Sequence, residues 1–256
     1  MKFRPCIDIH NGKVKQIVGG SLNDSNEGTA ENYVSDKDAA YYAALYADMG
    51  LSGGHIAMLN ARGTKEADAT KAQALGALAA YPGGMQIGGG ITADNAAEYI
   101  GAGASHVIVT SYVFRDGHID WDALKLLDKS VGRERVVLDL SSRFKDDGYY
   151  IVTDRWQKFT GHRLERGIFD ELSVYCDEFL VHAVDVEGKK AGIDEKIIDI
   201  LAGIPYTITY AGGISSLDDI RLIRDAGRGR IDITVGSALK LFGGGLEIQE
   251  VVDCIR

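Results

Sequence analysis

The stretch IDIH at residues 7–10 recurs as LDLS at residues 138–141, and this recurrence is the strongest indication of the fold. Two further landmarks follow in the same order in both halves of the chain. The pairs are GGGI at 88–91 with AGGI at 211–214, and VIVTSYVF at 107–114 with ITVGSALKLF at 233–242. The second copy begins about half a chain after the first, so we infer a structural unit that is used twice.

Short apolar runs alternate with longer runs of helical periodicity around these landmarks. The short runs are rich in β-branched residues and alternate poorly, as parallel strands buried on both faces do. The eight predicted strands are 3–9, 54–59, 85–88, 106–110, 135–140, 178–184, 206–210 and 231–235. The eight predicted helices are 38–49, 65–80, 93–102, 120–130, 165–177, 194–202, 216–226 and 245–255.

Eightfold alternation of strand and helix in 256 residues predicts a single domain of the α/β class, a closed (β/α)8 TIM barrel. An open, doubly wound sheet is the alternative. The repeat favours the barrel, because two four-stranded halves of approximately 1–130 and 131–256 complete it. The first helix is expected to start after a cap at Asp36 or Ser35 and to stop at Gly50.

Composition limits the partners and the location of the chain. A formal net charge of −9 argues against a nucleic-acid-binding face, and no apolar stretch is long enough to span a membrane. Cys6, Cys176 and Cys254 are far apart, so we expect free thiols in the cytoplasm with no disulfide or metal role. A closed barrel needs no partner, so a monomer is expected. The polar stretch 19–37 is the longest predicted loop and a candidate lid.

Two aspartates are the candidate catalytic residues. Asp8 ends the first predicted strand and Asp139 the fifth, and the carboxyl ends of barrel strands form the catalytic face. Strands one and five stand opposite each other, so one carboxylate could take a proton from carbon while the other gives one to oxygen. Either residue alone could equally cap a loop or pair with Lys13 or Lys15. Their matched positions in the repeat favour the catalytic interpretation.

Turns rich in glycine and hydroxyl residues follow strands three, four, seven and eight. They contain Gly89 and Gly90, Thr110 and Ser111, Gly212 and Gly213, and Gly236 and Ser237. Glycine lets backbone N–H groups approach an anion, and a following helix N-terminus favours negative charge. A single such turn is weak support, since it could merely be tight. Two symmetric pairs predict two phosphates at opposite ends of one long small-molecule ligand.

Four further residues are candidates with open alternatives. Trp156, in the polar stretch after strand five, could stack on a planar heterocycle or simply seal the barrel top. His182, within strand six, is either a hydrogen-bonded core residue or a supporting residue of the site. Asp185 and Glu187 follow strand six and either support the ligand or lie in a solvated loop. The spacing of the histidines matches no metal-binding pattern, so no metal is expected.

The chain resembles the phosphoribosylformimino-5-aminoimidazole carboxamide ribotide isomerases of histidine biosynthesis, and most their fungal and plant type. The resemblance covers essentially the full length. It is carried by RPCIDIHNGKVKQIVGG at 4–20, IGGGI at 87–91, VIVTSYVF at 107–114, VVLDLS at 136–141, VTDRWQKFT at 152–160, FLVHAVDVEGKKAGID at 179–194 and YAGGISSLDDI at 210–220.

The resemblance implies a cofactor-free and metal-free barrel that converts an aminoaldose to an aminoketose, an Amadori rearrangement. Asp139 would be the acid that assists ribose ring opening, and Asp8 the base that removes the C2 proton. The glycine and hydroxyl turns fall on the family's two phosphate sites, and Trp156 on an aromatic that faces the substrate's imidazole. The chain departs from the bacterial pattern at Thr92, where an Arg is usual, and at Ala183, where a Thr is usual.

Three alternatives stay open at this point. The cyclase subunit of imidazole glycerol phosphate synthase shares the repeat, both aspartates and both phosphate sites, but DIHNGKVKQIVGG at 8–20 fits the isomerase better. An isomerase that also rearranges phosphoribosyl anthranilate is the second. A non-catalytic barrel that only binds bis-phosphorylated ligands is the third, and retention of both aspartates argues against it.

Overall fold

The protein forms a closed barrel of eight parallel strands, each followed by a helix. The computed structural model describes residues 1–17, 31–189 and 192–256, with the side chains of Ile17 and Glu31 left out. The barrel strands are β1 Cys6–His10, β2 Gly54–Met58, β3 Met85–Gly88, β4 Val107–Val109, β5 Val136–Asp139, β6 Glu178–His182, β7 Thr207–Ala211 and β8 Ile231–Thr234.

Each strand pairs in parallel with the next one along the chain. The ring closes where Phe3 bridges Ile233 in parallel. Across this seam Arg4 N donates to Ile233 O at 2.8 Å, and Ile233 N donates to Lys2 O at 2.9 Å. The predicted barrel is therefore confirmed, and the open doubly wound sheet is wrong.

The helices form the outer layer and follow the predicted segments. They are α1 Ala39–Asp48, α2 Lys65–Ala80, α3 Ala96–Gly101, α4 Trp121–Val131, α5 Arg166–Leu172, α6 Glu195–Ala202, α7 Leu217–Ala226 and α8 Ile248–Ile255. Short 3-10 turns occur at Arg133–Arg135 and Lys240–Phe242. None of the helices within the described ranges is long and apolar enough to cross a membrane.

The predicted first helix, 38–49, starts one residue too early, and its predicted cap is wrong by two or three residues. Asp38, not Asp36 or Ser35, caps α1 by accepting a hydrogen bond from Tyr41 N at 2.8 Å. Ser35 instead bonds the buried hydroxyl of Tyr42 at 2.7 Å, so its side chain is already engaged. Gly50 follows the helix with φ 68°, as expected for a residue that ends a helix.

Three groups of strands that follow barrel strands β1, β4 and β5 were not predicted. A hairpin joins Lys13–Ile17 to Glu31–Val34 and extends β1. A three-stranded meander of Ser142–Lys145, Gly148–Thr153 and Lys158–Arg163 follows β5, and a small ribbon pairs Phe114–Arg115 with His118–Ile119. Residues 31–34 of the expected loop 19–37 are thus strand, whereas residues 19–30, the core of the candidate lid, lie outside the described residues.

A polar layer fills the end of the barrel opposite the candidate site. The Arg4 guanidinium contacts Asp232 Oδ2 at 2.8 Å and Glu178 Oε2 at 2.7 Å, and Gln86 Nε2 also donates to Glu178 at 2.7 Å. These residues come from strands β3, β6 and β8 and from the seam before β1. Burial opposes the charge on Arg4, but the two carboxylates outweigh it and raise the pKa of Arg4. The Arg4–Asp232 ion pair thus links the segment before β1, the first strand of the barrel sheet, to β8, the last strand.

Candidate active site

A cavity of about 320 Å³ opens at the carboxyl ends of the eight strands. Every strand contributes to its lining, as the topology of a parallel barrel requires. The strand residues that reach it include Asp8, Ala57, Gly88, Val109, Asp139, His182, Ala211 and Thr234. Concave sites of this size with a few convergent polar groups are the usual place for a small-molecule ligand.

Asp8 lies in the middle of β1 and faces the cavity, as predicted. Its Oδ2 accepts a long hydrogen bond of 3.5 Å from Gln16 Nε2, contributed by the hairpin strand beside β1. Burial and the nearby Glu187 carboxylate raise the pKa of Asp8 to about 7, against a weaker opposing effect of His182. Near neutral pH this carboxyl is therefore divided between its acid and base forms.

Asp139 ends β5, faces the same cavity and is held ionised by its neighbours. Its Oδ1 accepts hydrogen bonds from Ser141 N at 2.9 Å and Ser141 Oγ at 2.7 Å, and lies 3.5 Å from His182 Nδ1. Burial disfavours the charged form, but the His182 charge and these hydrogen bonds outweigh burial and lower the pKa of Asp139. The two aspartates thus have different protonation states in one pocket.

His182 is the cation of the site and not an isolated core residue. Burial alone would lower its pKa, but Asp139, followed by Glu187 and Asp8, raises the pKa of His182 to about 9. Glu187 also lines the cavity, and burial raises its pKa in spite of the attraction of His182. Both residues, predicted as support for the site, lie in it. Three carboxyl groups therefore surround one imidazolium.

The paired glycine turns adopt matched backbone conformations in the two halves. Gly89 has φ 101° and Gly212 has φ 125°, in the region that side chains with a Cβ rarely adopt. A Cβ on Gly89 would stand 2.0 Å from the Met58 carbonyl oxygen, and one on Gly212 would stand 2.8 Å from the Ala183 oxygen. Only glycine fits where each turn crosses the preceding loop. Gly90 and Gly213 complete the turns and line the cavity.

The second turn of each pair also reaches the cavity. Thr110 and Ser111 follow β4, and Gly236 and Ser237 follow β8. The Ser111 hydroxyl accepts a 3.2 Å hydrogen bond from Asp154 N, which connects the turn to the meander after β5. All eight residues predicted to contact phosphate are therefore brought to the lining, in two groups on opposite sides of the barrel.

Trp156 projects into the cavity from a strained turn of the meander. Asp154, Arg155 and Trp156 have φ of 51°, 57° and 67°, three successive residues in the left-handed region. Such runs are costly and mark functional loops. The Trp156 ring lies 5.6 Å from the His182 ring at 45°. Of the two open interpretations, this half-buried position in the cavity lining fits stacking better than sealing.

Asp185 is placed differently from its prediction. Its carboxylate accepts from Arg143 Nε at 2.9 Å and from Phe144 N at 2.8 Å, so it anchors the meander strand and does not line the cavity. The two departures from the bacterial pattern also have defined positions. Ala183 is buried beneath Gly212, and Thr92 N donates to Asn95 Oδ1 at 2.8 Å at the start of α3.

The sequence interpretation missed three residues of the pocket floor, namely Cys6, Gln16 and His55. The parallel register places Cys6 directly beside His55, 49 positions away in the chain. Burial and the charge of His182 lower the pKa of His55 to about 3, so its ring is neutral. The only available signal was period-two alternation, which puts Cys6 on the same face of β1 as Asp8.

Comparison of the sequence with known proteins identifies a family to which the chain is similar. The model of the family described as histidine biosynthesis protein matches residues 2–244. A relative from Medicago truncatula is 54% identical over 98% of this chain and 81% of its own length. Relatives from Neurospora crassa and Saccharomyces cerevisiae are 44% and 42% identical over 100% of this chain and 98% and 97% of their lengths.

All three relatives bear the name 1-(5-phosphoribosyl)-5-((5-phosphoribosylamino)methylideneamino) imidazole-4-carboxamide isomerase, and the Medicago protein is also named chloroplastic. The match spans nearly the whole chain and includes both aspartates and both pairs of turns. The chain belongs to the histidine biosynthesis protein family.

Proposed function

We propose that this protein is the isomerase that its relatives are named for, acting on an imidazole-4-carboxamide that carries two phosphoribosyl groups. The observation that carries the proposal is the pair of aspartates Asp8 and Asp139 between two matched sets of phosphate-type turns. A bis-phosphorylated substrate laid across the barrel would put its reacting ribose between the carboxylates. Relatives at 42–54% identity with this name support the same reaction.

The rearrangement needs one proton given to an oxygen and one taken from a carbon. Protonation of the ribose ring oxygen opens the ring to an iminium at C1, and removal of the C2 proton gives an enaminol. The enaminol becomes the aminoketose when C1 gains a proton and the C2 hydroxyl loses one. We assign Asp8 as the base, because a base is most effective when its pKa lies near the working pH and burial holds the pKa of Asp8 at about 7.

The acid is best described as Asp139 together with His182. The pKa of Asp139 is lowered in the free protein, so the proton of this pair resides mainly on His182 Nδ1, 3.5 Å from Asp139 Oδ1. Coupled groups share their protons as a pair. Substrate phosphates bring negative charge into the pocket, which raises the pKa of the carboxyl and lets the shared proton reach the ring oxygen.

The substrate would be oriented by the turns at the two ends of the cavity and by the Trp156 ring. Backbone N–H groups in the turns at Gly89 and Gly212, with the helices that follow, suit phosphate oxygens. The Trp156 ring would stack on the imidazole ring of the substrate, close to His182. Each part then fixes one section of the ligand, and the reacting ribose lies between them.

The proposal is tested with purified protein, the named substrate and the cyclase that consumes the product. We expect turnover in the wild type, and a loss of about 10²- to 10⁴-fold in kcat for Asp8→Asn and for Asp139→Asn with KM little changed. Binding of the substrate without turnover by the wild type would instead identify a non-catalytic barrel. A loss below tenfold in either variant would remove that aspartate from its role.

We also propose a location and an assembly state for the protein. We retain the cytoplasm as the proposed location, although the Medicago relative is named chloroplastic. We also retain the monomer, since the candidate site is built from one chain. Cell fractionation checks the first proposal and sedimentation velocity the second.

A further inference from the structure

Three side chains of different chemistry converge beneath the aspartate that we assign as the base. The Cys6 sulfur, an Asp8 carboxylate oxygen and a His55 ring nitrogen all lie within 4.8 Å of one another. Cys6 and Asp8 project from the same face of β1, and His55 is the register partner of Cys6 on β2. Cys6 and His55 are buried, at 5% and 6% exposure, yet all three border the cavity.

Thiolate, imidazole and carboxylate together are a ligand set for zinc and its chemical relatives. Zn²⁺ bonds to sulfur at about 2.3 Å and to nitrogen or oxygen at about 2.0–2.2 Å. Tetrahedral ligands at these bond lengths stand about 3.3–3.6 Å apart, so one shared ion would need pairs of these atoms to approach by up to about 1.5 Å, which side-chain rotations supply. The ligands come from two hydrogen-bonded barrel strands, so the backbone already holds them in place. The cavity leaves a fourth position open.

Carboxyl side chains around the cavity favour uptake of a cation. Asp139 and Glu187 add negative charge around the cavity, whereas His182 opposes it. Burial and Asp8 raise the pKa of the Cys6 thiol, so binding would release the thiol proton to solvent. Gln16 Nε2 lies 3.8 Å from the Cys6 sulfur and would have to move aside.

We propose that Cys6, Asp8 and His55 form a binding site for Zn²⁺ or a similar thiophilic divalent cation in the floor of the active pocket. Mg²⁺ prefers oxygen ligands and is excluded by the sulfur and nitrogen atoms. A bound ion occupies Asp8 and so removes the base. Zinc is then an inhibitor that a chelator reverses. This kinetic consequence rests on the proposed function, whereas the site itself does not.

The site is tested by titrating the full-length protein with Co²⁺, which reports its ligands in the absorption spectrum. We expect an intense thiolate-to-cobalt band and the visible bands of four-coordinate cobalt, both abolished by Zn²⁺ and unaffected by Mg²⁺. Cys6→Ser should lose the thiolate band and bind Zn²⁺ about 100-fold more weakly or worse, since even residues that only support ligands cost 10- to 100-fold. Cys254→Ser, a cysteine change remote from the cavity, should keep both.

Absence of a thiolate band in the wild type, or its persistence in Cys6→Ser, would overturn the proposal. Should Cys6→Ser fail to fold, the X-ray absorption edge of zinc bound to Cys254→Ser serves the same purpose, because a sulfur neighbour at about 2.3 Å from zinc is expected. A zinc coordination shell without sulfur would also overturn the proposal. In parallel, Zn²⁺ should abolish turnover and a chelator should restore it. Absence of turnover by the wild type would refute the proposed function, and full turnover by Asp8→Asn would refute only the role of Asp8 as the base; neither result would change the cobalt spectrum of the wild type.

Discussion

At the scale of single residues, the two aspartates differ because their neighbours differ. Asp139 receives three hydrogen-bonding or ionic contacts, from Ser141 and His182, whereas Asp8 receives one long hydrogen bond from Gln16 and faces Glu187. Two carboxyl groups in one pocket with divergent pKa values are the usual mark of divided acid and base roles. The division follows from side-chain contacts and not from residue type.

The pH dependence of kcat/KM should report the base. Because Asp8 must be ionised to accept a proton and burial raises its pKa to about 7, kcat/KM should fall as the pH decreases through about 7. Glu187→Gln removes the charge that contributes to this shift, so the acidic limb should move to lower pH. Stopped-flow turnover between pH 5 and 9 measures both, with Glu247→Gln on the distant surface as control. If the acidic limb of the kcat/KM profile lies at the same pH in Glu187→Gln as in the wild type, Glu187 does not influence the pKa of Asp8.

The raised pKa of Asp8 should also affect the stability of the fold. The ionised form that catalysis needs is the form that destabilises the folded protein. The folded-state pKa of Asp8 lies above its unfolded value near 4, so the contribution of Asp8 to stability is fully present below pH 4 and is lost as the pH rises through about 7. Asp8→Asn lacks this penalty and should be more stable than the wild type at pH 8, by up to about 4 kcal/mol. Urea unfolding at pH 4 and pH 8 tests this. Equal differences at both pH values would contradict it.

At the scale of elements, strand-to-helix turns carry the matched geometry of the two halves. Gly89 and Gly212 both leave a barrel strand with a positive φ, and both cross a neighbouring loop too closely for a Cβ. The unpredicted meander has another effect, since it brings Trp156 over the cavity and binds Ser111 through Asp154 N. Turns thus place the ligand-facing backbone, and the meander places the aromatic ring.

Alanine substitutions separate backbone strain from crowding in these turns. Gly229 also has a positive φ, 69°, but a Cβ there meets nothing within 4 Å, so Gly229→Ala should cost only about 1–2 kcal/mol and leave KM unchanged. Gly89→Ala forces the turn away from the Met58 carbonyl oxygen and should raise KM at least tenfold. Gly212→Ala, with its larger clearance, should lie between them. Steady-state kinetics and thermal melts give the ranking. Equal KM values in all three variants would contradict a role of the Gly89 and Gly212 turns in phosphate binding.

At the scale of the whole molecule, closure of the barrel depends on residues far apart in the chain. Arg4 joins Glu178 and Asp232, and the Phe3–Ile233 bridge joins the first strand to the last. Removal of one member of a buried ionic group is costly because the others stay charged without a partner. This polar layer is therefore expected to influence stability more than surface ion pairs do.

Arg4→Met should destabilise the fold by about 3–5 kcal/mol, because it leaves two buried carboxylates uncompensated. The exposed pair Lys125–Asp122 is the matched control, and Lys125→Ala should change stability by less than about 0.5 kcal/mol. Adding Glu178→Leu and Asp232→Leu to Arg4→Met should restore part of the loss. Guanidinium unfolding curves measure all three, and a loss below 1 kcal/mol for Arg4→Met would disprove the role of the layer.

The sequence by itself determined the architecture and the residues most directly tied to it. Eight strands, eight helices and the half-chain repeat are local periodic signals, and they identified Asp8, Asp139 and both pairs of turns because residues at strand ends of a parallel barrel converge. The meander and the hairpin were missed because they stand outside the eightfold alternation of strand and helix, although the middle strand of the meander, GYYIVT at 148–153, is rich in strand-forming residues.

The tertiary structure alone decided which distant side chains meet. His182 beside Asp139, His55 beside Cys6, and Arg4 between Glu178 and Asp232 depend on the register of neighbouring strands. Register is set by hydrogen bonds between strands that are far apart in the sequence, and a local sequence pattern does not show which residues pair. The register determined the protonation of the site and brought Cys6, Asp8 and His55 together.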